Sequence, residues 1–342
     1  AVGAAGAAGA AGAAASKNGF INGGMQVAQR GDLTLGSSAP AANAGYGKVD
    51  RWQCWATGTA VSAGTATQTT SANCGRTGYA LKLSGVTLTG TGVVFIKQRV
   101  ESVNAVRFKN QTASVSVRVY HDVGSSINYT ITIRKPTASD NYASTTTIAT
   151  GSATAVSSAT ETLLKLENVS MGDCSFGIEV EIKAECGAIT TKNFEFTEAQ
   201  IEVAAAFTSF EYVSFEQELE RCLRYYEKSF NYSTSPAEGV TYATQKAFYT
   251  GRVYATTAAE VFIEIIEKRS SPTVTFYRSS INATAGKWVC IDSTESSWLE
   301  GTTSTNDTLG PKQFGVTVSS LSGLTVHHAT AICGHWTAAS EL

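Results

Sequence analysis

A chain of 342 residues, 43% hydrophobic but only 16% charged, has room for two ordinary domains and must cover its surface largely with Ser, Thr, Asn and Gly. Lys+Arg 26 against Asp+Glu 28 gives a formal net charge of -2 with no basic run, which excludes a nucleic-acid surface and a polybasic membrane patch. No window of about 18 apolar residues offers a membrane span, so no membrane insertion is expected.

Residues 3 to 14 repeat Gly-Ala-Ala, with Gly at 3, 6, 9 and 12. A Gly at every third position suits a crowded three-chain axis, where only a hydrogen fits. A bundle of Ala-rich helices is the competing packed form, and a flexible linker is the simplest alternative. Both packed forms need partner chains, because so few apolar atoms bury almost nothing alone. Residues 1–15 are therefore read as a trimer-forming shaft. Ala1 to Ser16 lacks the basic start and Leu-rich centre of an export signal, and without an initiator Met the chain reads as the C-terminal piece of a longer protein or a processed one.

From Val93 the hydrophobic period is two. Val115, Val117 and Val119 alternate with Ser116 and Arg118, and Ile127, Tyr129, Ile131 and Ile133 alternate with Asn128, Thr130 and Thr132. The same alternation marks Phe176 to Lys183 and Phe194 to Thr197. These are strands of a jelly-roll-like β-sandwich spanning 16–213, with the Ser/Thr-rich stretches 56–78 and 136–160 as loops or edge hairpins. Ser214-Phe-Glu-Gln217 then forms a capping box, and Phe215, Leu219, Cys222 and Tyr226 share one helical face. A helix is expected over 215–228 inside a connecting segment 214–229, with Glu216, Glu220, Arg224 and Glu227 solvated. Strand patterns return at Val261–Ile265, Thr273–Tyr277, Lys287–Ile291 and Phe314–Val318, enough for a second, distal sandwich over 230–342. The fold class is thus all-β, two β-sandwich (jelly-roll-like) domains joined by a short helix.

The seven cysteines, 54, 74, 174, 186, 222, 290 and 333, are odd in number and match no zinc spacing, so reduced, buried thiols are expected. No nucleotide, P-loop, nucleophile-elbow or His-Glu-x-x-His motif occurs, and no cofactor is implied. His327 and His328 would point to opposite faces of a strand, so they do not share a metal ion within one chain. Asp292, Glu295 and Glu300 beside Trp298 are the nearest approach to a glycosidase carboxylate pair, although solvation in a loop explains them more simply. The aromatics say more. Trp298 stands in a polar, turn-rich segment, where an indole suits stacking on a sugar ring, with Trp288, Asp292 and Glu295 as neighbours that take hydroxyls. A lid over the distal core is the alternative for Trp298. Tyr142 is a weaker case of the same kind.

At Asn22-Gly-Gly-Met25-Gln-Val-Ala-Gln29-Arg30-Gly31 and Asp50-Arg51-Trp52 the sequence resembles the opening of a jelly-roll domain found in tail fibres of tailed bacteriophages. Gln200-Ile-Glu202, Phe210-Glu-Tyr212 and Glu218-Leu-Glu-Arg-Cys-Leu-Arg-Tyr-Tyr-Glu-Lys228 are similar to that domain's last strand and exit helix, and His335-Trp-Thr-Ala338 to the end of the distal domain. Val213-Ser214-Phe215 departs from the family's Arg-Pro-Tyr or Arg-Ser-Tyr, and Ser229 to Tyr249 matches less well. The resemblance implies a homotrimeric, virion-borne receptor-binding fibre assembled in the bacterial host cytoplasm. Its N-terminal side would face tail or baseplate proteins, and its distal domain a host surface polysaccharide or lipopolysaccharide. The expected function is non-enzymatic adhesion to a glycan, against a glycan depolymerase or a purely structural spacer.

Overall fold

The computed structural model describes residues 16–35, 45–241, 247–280, 284–292, 298–305 and 309–342. The Gly-Ala-Ala run at 1–15 and Glu295 lie outside the described residues.

The first unit is built from β1 (Leu33–Thr34), β2 (Gly45–Tyr46), β3 (Gln53–Thr57), β4 (Ala60–Thr69), β5 (Ala80–Thr89), β6 (Val93–Val100), a single helical turn α1 (Ser102–Ala105), β7 (Thr112–His121), β8 (Ile127–Ala138), β9 (Asn141–Thr150), β10 (Thr154–Val156), β11 (Thr162–Ser170), β12 (Ile178–Glu185) and β13 (Ile189–Glu202). Two antiparallel sheets face each other. One runs β1-β4-β5-β13-β7-β11, the other β10-β8-β12-β6-β3-β2 with β9 added to β8. The period-two residues meet between them: Leu81, Leu83, Val115, Val117, Phe194 and Phe196 pack with Val94, Ile96, Ile131, Ile133, Val180 and Ile182 in one core. The Ser/Thr-rich stretches are largely strand. β4 pairs along β5, and β9 folds back on β8 as an edge hairpin. Phe176 precedes its strand and is 49% exposed.

The helix starts where the capping box places it, with Ser214 Oγ accepting from the Gln217 amide at 3.4 Å. As α2 (Phe215–Leu223) it stops five residues before the expected end at 228, because Tyr226–Lys228 is extended as β14 and pairs with the last strand. Of the residues expected to be solvated, Glu216 and Glu220 on α2 are exposed, whereas Arg224 and Glu227 just beyond it are engaged, as is Glu218 on the helix itself. Glu218 is 3% exposed and accepts from the Asn22 amide, Arg224 pairs with Glu101, and Glu227 pairs with the fully buried Lys268 ammonium.

The second unit comprises β15 (Phe248–Ala255), β16 (Ala258–Glu264), β17 (Thr273–Tyr277), β18 (Trp288–Asp292), β19 (Leu299–Thr305), β20 (Gln313–Ser319), β21 (Ala329–Cys333) and β22 (His335–Ala339). Its strands close on themselves: β15-β16-β20-β19-β18-β21 form a barrel, and β14-β22-β17 a small sheet beside it. Val253, Val261, Ile263, Trp288, Phe314, Val316, Val318 and Ile332 fill the barrel together with Trp336 from β22. Gly334, between β21 and β22, has no room for a side chain, since a Cβ there would lie 2.1 Å from the Trp288 ring.

The two units meet through a polar joint. The Glu341 carboxylate lies against the guanidiniums of Arg30 and Arg51, Arg30 also meets Asp50 at 3.2 Å, and Arg99 donates to the Leu342 carbonyl at 2.7 Å. Tyr225 and Tyr226, just past α2, lie flat under Arg51 and Arg30, with ring centroids at 3.6 and 3.8 Å. The Asn22 side chain pins the opening turn by bonding Val27 and Asp50, and Gly23 is obligatory there because a Cβ would sit 2.2 Å from the Ala199 carbonyl oxygen. Among the described residues no helix is long and apolar enough to cross a membrane.

Candidate functional site

The register of the barrel brings a set of residues distant in sequence into one row. Phe248 on β15 pairs with Cys333 on β21, Cys333 with Val289 on β18, and Val289 with Glu300 on β19. Directly paired residues in antiparallel strands share a face. Trp288 and Ile332, the immediate chain neighbours of Val289 and Cys333, fill the barrel interior, so this row lies on the outside. Val289 and Cys333 are nevertheless buried, at 2% and 0% exposure, because Ala247 and the Trp298 ring cover them.

Trp298 is therefore half-buried, with apolar contact beneath it. Beside it stands Phe248, 46% exposed, the two ring centroids 5.7 Å apart and tilted by 51°. At the end of the row, Glu300 accepts from the Thr284 amide at 3.2 Å and meets the Lys287 ammonium at 3.8 Å. The face thus couples two adjoining aromatic rings to a carboxylate and an ammonium near the surface. Rigid rings offer contact area at small entropy cost, and the charged pair provides acceptors and donors for hydroxyls.

The residues expected around Trp298 divide sharply. Trp288 is inside: it is fully buried, stacks on Tyr249 at 5.4 Å, meets Phe276 edge-on and donates its indole N–H to the His335 carbonyl at 3.1 Å. It has no surface to offer a ligand, because it opens strand β18 and turns into the barrel. Asp292 ends β18, where its backbone pairs with Thr330. Glu295 lies outside the described residues. Phe248 was missed, because nothing near Trp298 in the sequence points to a ring fifty positions earlier on β15, three places from β19 in the barrel.

Tyr142, the other aromatic singled out, is also structural. Its hydroxyl donates to the carbonyls of Val100 and Ile178 at 2.7 and 3.2 Å, and Arg99 covers its ring. His327 and His328 sit in the turn before β21, and His327 takes a positive φ of 72°. His335 is buried against Phe230, with ring centroids 4.4 Å apart, and burial pushes its pKa down. Among the described residues no group of three or more His, Cys, Asp or Glu is arranged to hold a metal ion. All seven cysteines are buried, and none is in a disulfide. Burial raises the thiols of Cys54 and Cys186, to about 12 and about 11.

No protein-family model matches the sequence, and no curated protein matches it. Solved structures that align with part of it include carbohydrate-binding modules and a glycosidase. TmCBM61, solved with β-1,4-galactotriose, aligns over 55% of this chain and 100% of its own at 12% identity and a TM-score of 0.32. The C-terminal family 22 carbohydrate-binding module of Clostridium thermocellum Xyn10B aligns over 50% of this chain and 100% of its own at 17% identity and 0.33. An arabinose-bound α-L-arabinofuranosidase, MgGH51, covers 52% of this chain and 25% of its own at 15% identity and 0.31. Likeness at this level transfers neither ligand nor activity, and the all-β architecture rests on the strand pairing itself.

Proposed function

We propose that the chain is the receptor-binding part of a homotrimeric phage tail fibre, and that its barrel holds a host surface polysaccharide or lipopolysaccharide without cleaving it. The observation that carries glycan binding is the outer face of the barrel, where Trp298 and Phe248 adjoin at 5.7 Å with Glu300 and Lys287 at the end of the same strand row. Pyranose C–H faces stack on such rings while the charged pair takes the hydroxyls. Shallow sites of this kind gain strength when several copies engage one surface, which is what a trimer provides. The fibre reading is supported by the motifs that resemble tail-fibre domains. Asn22, Gln29, Arg30, Asp50, Arg51 and Trp52 converge with Tyr225 and Tyr226 on the joint that carries the barrel. Under this reading the protein is a virion component assembled in the host cytoplasm, with tail or baseplate proteins on its N-terminal side.

Trp298→Ala and Phe248→Ala, measured on a glycan array and on purified host polysaccharide, are each expected to weaken binding by about tenfold or more, as loss of a central aromatic anchor does. Trp298→Ala also uncovers Val289 and Cys333 and costs roughly 1–2 kcal/mol of stability, whereas the more exposed Phe248 costs less. Unchanged binding in both variants would remove the site. Release of shortened saccharide by the unmodified protein would replace adhesion with depolymerisation.

A further inference from the structure

Where α1 and α2 approach the first described residues, a cavity of about 400 Å³ opens, lined among others by Asn18, Asn104, Arg107, Arg221, Arg224 and Tyr225. Its size falls in the range of small-molecule sites, and it shares no residue with the Trp298 face. Three guanidiniums border it, and their partners are unequal. Arg224 forks onto Glu101 at 2.9 and 3.1 Å, and Arg221 meets Glu218 at 3.0 Å and donates to the Phe20 carbonyl at 3.1 Å. Arg107 donates only to neutral groups, the carbonyls of Ser16 and Lys17 at 2.6 and 3.0 Å. Among the described residues no carboxylate stands within ion-pair distance of Arg107.

Three cations thus border the cavity with two carboxylates paired to them, while a third carboxylate, Glu211, is held by the Ser16 hydroxyl and the Asn18 amide and pairs with none of the three. Burial pushes the Arg107 guanidinium's pKa down and the Arg221 charge pushes it further, an effect that Glu211 opposes. Two like charges held beside one cavity are relieved by an anion placed between them. Donors are also in surplus. A guanidinium carries five N–H groups, and Arg107 commits its two terminal nitrogens to one carbonyl each. The side-chain amide of Asn104 makes no hydrogen bond among the described residues, and both Asn104 and Arg107 are open to solvent.

We propose that this cavity is a second binding site, for a ligand that carries a carboxylate or phosphate group. Planar guanidinium forks match both oxyanions, and neither neutral sugars nor cations relieve the Arg107–Arg221 repulsion. Asn104 at the rim orients the ligand by donating to an oxyanion oxygen or a neighbouring hydroxyl.

The test is calorimetric titration of the full chain, in phosphate-free buffer at fixed ionic strength, with inorganic phosphate, sodium galacturonate and, as the neutral match, galactose. Phosphate, galacturonate or both are expected to bind where galactose does not, the preferred anion telling a phosphorylated ligand from a carboxylated one. Arg107→Gln should weaken that binding by about tenfold or more, the loss of a charge-assisted bond. Because Arg107 also holds the Ser16 and Lys17 carbonyls, Asn104→Asp provides a second variant at an exposed position whose side chain makes no hydrogen bond among the described residues, and it should repel the anion with the melting temperature unchanged. Trp298→Ala should leave anion binding intact, so failure here and failure of the barrel face are separate results. No binding of either anion, or equal binding by Arg107→Gln and Asn104→Asp, would overturn the proposal.

Discussion

Replacing Trp288 by Ala separates a core indole from a ligand-binding one. The ring is fully buried in the barrel, stacked on Tyr249 at 5.4 Å with planes 6° apart, edge-on to Phe276 and hydrogen-bonded to the His335 carbonyl. A buried Trp removes on the order of 200 Å² from water, which at about 25 cal/mol per Å² is an upper bound near 5 kcal/mol. Partial collapse of the cavity recovers some of this, while the unpaired His335 carbonyl and the lost ring contacts add to the cost. The expected loss is about 4 kcal/mol. For a unit of about 100 residues that lowers the barrel transition by roughly 15 °C or more. Thermal and urea unfolding followed by near-ultraviolet circular dichroism reads it, with Trp288→Phe as the milder control that keeps a ring against Tyr249. A loss below about 1 kcal/mol would refute the core placement, as would a binding defect in Trp288→Ala with unfolding unchanged.

Glu341→Ala should cost about 3–5 kcal/mol and loosen the joint, because it strands the Arg51 guanidinium, 1% exposed, without its carboxylate. Limited proteolysis and a split of the unfolding curve into two transitions are the readouts, and a single unshifted transition would contradict the role given to this contact. Sedimentation of the intact chain at micromolar concentration should give three times the chain mass, and a shortened chain lacking residues 1–15 should remain trimeric there but begin to dissociate on dilution sooner, at a higher concentration than the intact chain. A monomer from the intact chain would sink the trimer.

How much of this is legible in sequence depends on how local each feature is. Alternation of Val115, Val117 and Val119, or of Ile131 and Ile133, decides which side chains face the partner sheet, because a strand turns successive residues to opposite faces without reference to anything distant. The start of α2 is equally local, a hydroxyl at Ser214 meeting an amide three residues on. Its end is not. The apolar spacing that carries the pattern on to Tyr226 is overruled by β22, which offers Tyr226–Lys228 a strand partner.

The same division runs through the sites. Seven thiols in an odd, unpatterned array already point to buried cysteines, whereas the polar Ser/Thr-rich stretches point to loops or edge hairpins and are largely strand, β4 beside β5 and β9 beside β8. The sequence groups Trp288 with Trp298 as neighbours at one surface, and only barrel closure turns the first inward and lays the second across Val289 and Cys333. Phe248 joins Trp298 through pairing of β15, β21 and β18, and the motifs around Asn22, Arg51 and Tyr225 become a joint rather than a surface because Glu341 returns to them from the chain's far end. Composition and periodicity act on neighbours in the chain. Which rings meet and which charges are buried is decided by strand register and closure, contacts between residues hundreds of positions apart that no local pattern specifies.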